Sequence, residues 1–211
     1  MAERTPEDTL REEYFNLVPD IRRVMWYLEA EVRYHTRHIL QRLKPHEKLA
    51  VKSRVKECES AVKTLRDRQE GRTFDPDRPG DYSLLDLPDL AGVRVLVFPN
   101  SRLVEVDNAL RDHFPNWLGK PVKDDSGASL APKYYGYCEK VSRKVRGEYQ
   151  VDPMLLGLFW EVEHSAMYKF REVANSKEMQ MHRSDVQRAL SRFEAGIESF
   201  VQDYTEPPSQ T

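Results

Sequence analysis

The stretch GVRVLVF, residues 92–98, decides the fold class of this chain. It is a nearly unbroken run of apolar, β-forming residues interrupted only by Arg94, the pattern of a strand buried on both faces of a sheet. Pro99 and Asn100 end the run, and Ser101 is a candidate N-cap for the helix that follows. The stretch therefore predicts a central strand, a tight turn and a covering helix.

The rest of the chain predicts helices on either side of this strand. Apolar residues recur at steps of three and four over residues 19–43, which predicts an amphipathic helix beginning at Pro19. A second amphipathic helix is predicted over residues 47–69. A third covers residues 153–169, and a last one begins at Ser184, where the sequence fits a capping box.

Further strands are expected between the central strand and the last helices. Residues 137–145 alternate in character and residues 147–151 follow closely, which predicts two adjacent strands. Residues 120–132 are polar and rich in Gly, Ser and Pro, which predicts a mobile surface loop. The order of elements predicts an α+β fold, a mixed β-sheet flanked by N- and C-terminal helices.

Composition indicates one folded domain with an uneven distribution of charge. The 211 residues have 39% hydrophobic and 10% aromatic residues, enough to build a core. The 33 basic and 35 acidic residues give a net charge of -2, which argues against binding nucleic acid by bulk charge. However, residues 22–72 hold 14 basic and 7 acidic residues, so this segment carries +7 and the remainder -9.

The sequence also excludes several classes of protein. No apolar run approaches the roughly 20 residues of a membrane span, and residues 1–20 lack the apolar core of a signal peptide. A cytoplasmic protein without a membrane partner is expected. Cys58 and Cys138 have neither disulfide-framework nor zinc spacing, so free thiols are expected.

One basic segment has residue types suited to phosphate. Arg54 and Lys56 offer a guanidinium fork and an ammonium to polyphosphate oxygens, with Ser60 and Lys63 further along the chain. The same residues also fit the solvated face of a helix. The segment alone therefore leaves a phosphate site and a plain surface open.

Acidic residues lie near the predicted strands. Asp89 stands just before the central strand, either as a Mg²⁺ ligand or as a turn cap. Arg94 lies within the strand, where it either supports a ligand or pairs with a buried carboxylate. Glu148 and Gln150 share one side of a later strand, because side chains alternate with period two.

Two aromatic and histidine patterns complete the candidate set. Gly136 between tyrosines would let the backbone approach a planar ligand while Tyr135 or Tyr137 stacks on it, and a hairpin corner is the alternative. Glu161 and His164 lie three residues apart on a predicted helix, which fits half of a metal site or ordinary packing.

In order and spacing, these segments resemble the synthetase domain of the RelA/SpoT proteins, which make the alarmones (p)ppGpp. The family pattern runs R-x-K-x-x-x-S, D-x-x-G-x-R, K-x-x-G-Y-x-S-x-H, E-x-Q-x-R-T and a helix ending in E-H-x-x-x-Y-K. The resemblance covers residues 14–169 and favours the short, single-domain synthetases. The matching residues are Arg54, Lys56, Ser60, Asp89, Gly92, Arg94, Lys133, Gly136, Tyr137, Glu148, Gln150, Glu163, His164, Tyr168 and Lys169.

The resemblance implies a nucleotidyltransferase-like fold and a pyrophosphokinase that moves the β,γ-pyrophosphate of ATP to a ribose 3′-hydroxyl. It implies Mg²⁺ as cofactor and three groups of site residues. The catalytic and metal-holding residues are Asp89 and Glu148. The ATP-binding residues are Arg54, Lys56, Ser60, Lys63 and Arg94. The acceptor-binding residues are Lys133, Gly136, Tyr137, Gln150 and His164.

The sequence departs from the family pattern on the acceptor side. Glu139 and Val141 replace the family's Ser and His, and Asp152 and Pro153 replace its Arg-Thr. The two acidic residues would place negative charge where an acceptor diphosphate is expected, which disfavours GDP or GTP. Thr64 stands where the family has a lysine.

Three functions follow from this comparison of motifs. The first is a synthetase of (p)ppGpp with GDP or GTP as acceptor, in the stringent response. The second resembles the toxin members of the family, which pyrophosphorylate the 3′ terminal adenosine of tRNA and block translation; a neutralising antitoxin would then be a partner. The third is an inactive regulator that binds nucleotide. Basic residues that would follow a tRNA backbone are Arg22, Arg23, Arg33, Arg37, Arg42 and Lys44.

The expected domain organisation follows the extent of the resemblance. Residues 1–18 form an N-terminal extension, residues 19–170 the synthetase domain, residues 171–205 a C-terminal helical extension and residues 206–211 a disordered tail. The apolar face of the last helix packs either on this domain or on a second copy of the chain, so a homo-oligomer remains open.

Overall fold

The computed structural model describes residues 5–69, 83–123, 129–167 and 177–205. Short 3₁₀ turns cover Leu84–Asp86 and Asn100–Arg102. The elements are, in chain order, α1 (Pro6–Leu40), β1 (Lys48–Val55), α2 (Cys58–Gln69), β2 (Ala91–Phe98), α3 (Leu103–His113), β3 (Leu118–Lys123), β4 (Ser129–Tyr137), β5 (Arg146–Pro153), α4 (Met154–Met167) and α5 (Lys177–Thr205).

The strands form one mixed sheet in the order β1-β2-β5-β4-β3. β2 and β5 are parallel, and the other neighbours are antiparallel. Every residue of β2 is buried except Arg94 and Phe98, which are partly exposed. The α+β class and the buried central strand predicted from residues 92–98 are therefore confirmed.

Helices cover both faces of the sheet, but unequally. α1 and α3 pack on the face formed by residues such as Val95, Tyr149 and Val151. On the opposite face, α4 lies against β2 and β5, and Gly157 brings it so close that a Cβ there would lie 2.4 Å from Leu96. Leu96 is near the carboxyl end of β2, so α4 covers that end of the face. Among the described residues, no helix is long and apolar enough to cross a membrane.

α1 begins earlier than its pattern predicted. Thr5 caps it with Asp8 in a reciprocal capping box, and Pro19 lies inside the helix rather than at its start. The buried stripe extends toward the N-terminus through Leu10 and Tyr14, and this packing outweighs the hydrogen bond that an internal proline removes.

The predicted helix over residues 47–69 is wrong in its first half. Residues Lys48–Val55 form the edge strand β1, and only Cys58–Gln69 are helical. Leu49, Val51 and Val55 recur with period two as well as at helical steps, and pairing with β2 selects the strand. The correction matters for function because residues two apart in a strand share a face.

The hairpin and two helix starts also differ from the predictions. Lys120 to Lys123 and Ser129 to Pro132 belong to β3 and β4 rather than to a loop, while residues 124–128 lie outside the described part. Residues 138–145 form a turn instead of a strand. The helix starts that were predicted at Ser101 and Ser184 are wrong, because Ser101 lies in a 3₁₀ turn and Ser184 inside α5.

Gly136 provides a test of packing at the end of β4. A Cβ at this position would lie 2.5 Å from the Trp117 indole, so Gly136→Ala must displace that ring. We expect Gly136→Ala to lower the free energy of unfolding by about 1–3 kcal/mol and to change tryptophan fluorescence. A Cβ at Gly196 on α5 would meet no atom within 4 Å, so Gly196→Ala should instead be neutral or stabilising in the same denaturant titration. Equal stability of the wild type and Gly136→Ala would contradict this packing.

Candidate functional site

The sheet topology brings the predicted site segments to one edge. β2 and β5 are parallel and begin at Ala91 and Arg146, while β1 and β4 are antiparallel to their neighbours and end at Val55 and Tyr137. The starts of the inner strands therefore meet the ends of the flanking strands. On the sheet face opposite to α1 and α3, α4 covers the other end of the strands. The edge at which the site segments meet is therefore the less covered one.

A cleft of about 180 Å³ opens on this face. Cross-strand register aligns Arg54 with Gly92 and Gly92 with Glu148. The Arg54 side chain lies across Gly92, 3.5 Å from where a Cβ would be, which is ordinary van der Waals contact. The side chains that line the cleft are Lys52, Arg54, Arg94, Glu148, Gln150 and Glu161.

Lys56 and Asp89 form a pair beside this cleft. The Nζ of Lys56 donates to Oδ2 of Asp89 at 2.7 Å, and the side chains are only 11% and 14% exposed. The backbone N–H of Lys56 also donates to the carbonyl of Leu90 at 2.9 Å, which fixes the end of β1 against the turn before β2. The second Asp89 oxygen, Oδ1, is buried and has no hydrogen-bond partner among the residues that the structure describes. A buried carboxylate oxygen in this state is suited to a cation.

Glu148 is the second carboxylate of the candidate metal pair. It is the third residue of β5, is 5% exposed and lines the cleft next to Arg54. Asp89 precedes β2, the parallel neighbour of β5, so both carboxylates belong to the same edge of the sheet. Together they offer the oxygen ligands that Mg²⁺ prefers.

Arg94 pairs with carboxylates inside the protein. Its Nε lies 2.9 Å from Oδ2 of Asp152, an ion-pair distance without the alignment of a hydrogen bond. Its Nη1 lies 3.6 Å from Oε1 of Glu161, which also receives Lys52 at 2.6 Å through its other oxygen. These ion pairs span the cleft and narrow it.

Asp152 is the acidic residue at the position of the family's arginine. It is fully buried, and Gln150 donates its side-chain amide to Oδ1. Burial raises the pKa of Asp152 to about 6, although Arg94, Gln150 and Lys133 counteract part of this effect. Its negative charge is therefore held among Arg94, Gln150 and Lys133 rather than presented to solvent.

Tyr137 and Gly136 lie at a neighbouring pocket of about 580 Å³. Tyr137 is 46% exposed at the end of β4, and its register partner is Arg146. The Arg146 guanidinium donates to the backbone carbonyls of Asp86 at 2.7 Å and Leu85 at 3.4 Å. Arg146 thus ties the segment that carries Asp89 to the start of β5.

The remaining predicted residues occupy separate positions. Ser60 lies in the first turn of α2, which begins two residues after Lys56, and Lys63 follows about one turn later. Lys133 on β4 pairs in register with Gln150 on β5. His164 falls in α4 with its side chain outside the described atoms, and Tyr168 and Lys169 lie outside the described residues.

Sequence reasoning missed Lys52 and the structural roles of Arg146 and Trp117. Lys52 shares a strand face with Arg54, which period-two spacing would have indicated if β1 had been recognised. Arg146 acts through backbone carbonyls, and no side-chain pattern signals such contacts.

Comparison with solved structures identifies the architecture. Small alarmone synthetase 1 from Bacillus subtilis bound to its product pppGpp has a TM-score of 0.68 at 14% identity, over 92% of this chain and 100% of that one. The same protein bound to AMPCPP has a TM-score of 0.63 at 16% identity, over 93% and 100%. The fold is that of the small alarmone synthetases.

Small alarmone synthetase 2 from Bacillus subtilis shares this alarmone synthetase fold, with a TM-score of 0.60 at 20% identity over 88% of this chain and 99% of that one. No family model and no curated protein matches the sequence. The chain therefore keeps the alarmone synthetase fold at a sequence identity of 20% or less to these structures.

Proposed function

We propose that this protein is an ATP pyrophosphokinase, which transfers the β,γ-pyrophosphate of ATP to the ribose 3′-hydroxyl of a guanine nucleotide. The observation that carries the proposal is Asp89: one oxygen accepts from Lys56, and the other is buried with no partner in the described ranges. It lies at the same sheet edge as Glu148, within the alarmone synthetase fold. A carboxylate pair beside basic residues is what phosphoryl transfer requires.

The residues present fit a divalent metal. Asp89 and Glu148 would hold Mg²⁺, because the buried Oδ1 of Asp89, to which no described residue donates, is an oxygen ligand suited to a hard cation. The ion would neutralise charge on the phosphate oxygens of ATP.

Basic groups around the carboxylates suit the ATP phosphates. Arg54 lies in the cleft, Lys56 sits beside Asp89, and α2 begins two residues later with Ser60 in its first turn. The backbone N–H groups at a helix start attract anions. Arg54, Lys56 and Ser60 therefore bind the polyphosphate, with Lys63 and Arg94 as further members.

Glu148 and Tyr137 serve the acceptor. Glu148, which would help to hold the metal, would also accept the proton that the attacking hydroxyl loses. Tyr137 is exposed at the same sheet edge and stacks on the acceptor base, a contact worth about 1–3 kcal/mol. Lys133, Gly136, Gln150 and His164 complete the acceptor side of the proposal.

The charge balance favours a guanine nucleotide as acceptor. The sequence alone places two acidic residues on the acceptor side, but Asp152 is buried and paired with Arg94. Of these two, Glu139 is the exposed one, on the turn after β4. The expected repulsion of a diphosphate is therefore smaller than the sequence indicated.

The tRNA acceptor has weaker support. Arg23, Arg33 and Arg42 all pair with acidic residues, at 3.1, 2.8 and 2.7 Å. Arg37 lies over the Tyr34 ring at 4.3 Å. The three ion pairs reduce the positive charge available to a tRNA backbone, whereas Arg37 keeps its charge, so tRNA and its antitoxin partner stand as the alternative outcome of the test.

The test is a label-transfer assay with the full-length protein. γ-Labelled ATP and Mg²⁺ are incubated with GDP, GTP or deacylated tRNA, and the products are separated. We expect label on the guanine nucleotide, at a rate that is insensitive to moderate salt. Label on tRNA alone, lost steeply as salt rises, would replace the guanine acceptor by tRNA. Bound ATP without label on any acceptor would support the inactive regulator instead.

Asp152→Asn tests the pairing of Arg94. The substitution keeps the Oδ1 acceptor for Gln150 but removes the charge that holds Arg94, so the guanidinium becomes available to phosphate. We expect the KM for ATP to fall by about threefold or more, with little change in kcat. Asp112→Asn, an exposed change on α3, is the control and should leave the KM unaltered. A higher KM in Asp152→Asn would show that the pair supports the site instead.

A further inference from the structure

Two histidines and a glutamate converge between α1 and α3, and His113 among them also lines the pocket that contains Gly136 and Tyr137. Glu31 and His35 lie one turn apart on α1, and His113 is the last residue of α3. One oxygen of Glu31, Oε2, lies 2.6 Å from Nε2 of His113 and 3.5 Å from Nε2 of His35. The three donor atoms all lie within 4.8 Å of one another.

The two imidazole rings stack on each other, with centroids 3.5 Å apart and an interplanar angle of 22°. Both rings have Nε2 within 3.5 Å of the same Glu31 oxygen. Neutral imidazoles are the form that binds metal.

The ligand types and spacing match a transition-metal ion. Two histidine nitrogens and one carboxylate oxygen form a three-residue zinc set that leaves the fourth tetrahedral position open. With metal–ligand bonds of about 2.0–2.2 Å, tetrahedral donors are about 3.3–3.5 Å apart. The His35 contact already has this separation, and the His113 contact needs to lengthen by less than about 1 Å, a rotamer-scale change. Mg²⁺ prefers oxygen ligands and is a poor match.

We propose that Glu31, His35 and His113 bind a divalent transition-metal ion of the zinc type, which links α1 to α3. The three side chains are 22–29% exposed, so an ion enters from solvent without unfolding the domain. The fourth ligand is water. Cys138 does not belong to the three-residue donor cluster found among the described residues.

The experiment titrates the untagged, chelator-treated full-length protein with Zn²⁺ by calorimetry, in excess Mg²⁺ and without nucleotide. We expect one ion per chain. Co²⁺ in place of Zn²⁺ should give the intense visible absorption of a tetrahedral site. Because the ion binds only the folded chain, saturating Zn²⁺ should raise the melting temperature by about 5 °C or more.

Variants separate this site from other metal binding. His35→Gln and His113→Gln should each weaken Zn²⁺ binding by at least about tenfold. Glu178 and His182 on α5 repeat the same four-residue spacing but belong to no three-ligand cluster among the described residues, so His182→Gln is the matched control and should bind normally. Asp89→Asn should also keep the site, which excludes the proposed catalytic carboxylates as the zinc ligands.

Three results would overturn the proposal. The first is the absence of saturable Zn²⁺ binding to the folded protein. The second is unchanged affinity in both His35→Gln and His113→Gln when circular dichroism shows them folded. The third is loss of binding in His182→Gln or in Asp89→Asn.

Discussion

Glu148→Gln is expected to reduce pyrophosphate transfer by about a thousandfold while the protein stays folded. The amide has the size of the carboxylate but carries no charge, so it neither holds a divalent cation nor accepts a proton. Loss of one such electrostatic contact in a buried site costs about 10²–10³ in rate. The measurement is single-turnover transfer from labelled ATP, together with a thermal melt.

Asp89→Asn should reduce transfer to the same degree but also cost stability. Lys56 is 11% exposed and would lose its charged partner, at a cost of about 1–3 kcal/mol. Glu57→Gln, a change at an exposed carboxylate beside Lys56, is the matched control and should keep full activity.

Transfer above a tenth of the wild-type rate in Glu148→Gln would refute the metal and proton roles of Glu148.

Glu194→Gln is expected to stabilise the protein at neutral and alkaline pH. Glu194 on α5 is 2% exposed, and its Oε1 has no hydrogen-bond partner within the described part of the chain. Burial raises the pKa of Glu194 from 4.5 to about 7; the charge of Glu198 adds to this shift, while hydrogen bonds from the backbone and side chain of Asn100 counteract part of it. The buried Oδ1 of Asn100 also lacks a partner among the described residues, so a glutamine amide at position 194 has an acceptor in the residue that already contacts it.

The pH dependence follows from the sign of that shift. Because the folded-state pKa is raised, the contribution of Glu194 to stability is fully present below pH 4.5 and is lost as the pH rises to about 7. The shift corresponds to about 3 kcal/mol. Glu194→Gln should therefore match the wild type near pH 4.5 and exceed its melting temperature at pH 8 by about 6 °C or more.

An exposed carboxylate on the same helix provides the comparison. Glu178→Gln, at a side chain that is 85% exposed, should leave the pH profile unchanged. A Glu194→Gln variant that is less stable than the wild type at pH 8 would show that the hydrogen bonds from Asn100 to the ionised carboxylate outweigh its desolvation.

The central strand could be predicted because its signal is local. An apolar run flanked by Pro99 and by an acidic turn has few alternatives, and burial on both faces follows from it. The strand β1 could not be predicted from its own residues, because Val51 and Val55 fit both periods and only pairing with β2 decides between them. The start of α1 was missed because a proline at a helix start and one inside a long helix look alike in sequence.

The candidate site was predicted as a set of residues but not as a network. The sequence motifs identified Arg54, Lys56, Asp89 and Glu148 as candidates, and the topology places the strands that carry or follow them at one edge of the sheet. The pairing of Arg94 with Asp152 depends on register between parallel strands more than fifty residues apart in sequence, which no local pattern contains.

The most direct test of the proposed pyrophosphokinase is the identity of the adenine nucleotide that it releases. The full-length protein is incubated with ATP, Mg²⁺ and GTP, and AMP, ADP and the modified acceptor are quantified by chromatography. Transfer of the β,γ-pyrophosphate predicts one AMP for each acceptor that gains two phosphates, and both products should disappear in Glu148→Gln. Release of ADP, or no ATP consumption with either guanine nucleotides or tRNA, would contradict it.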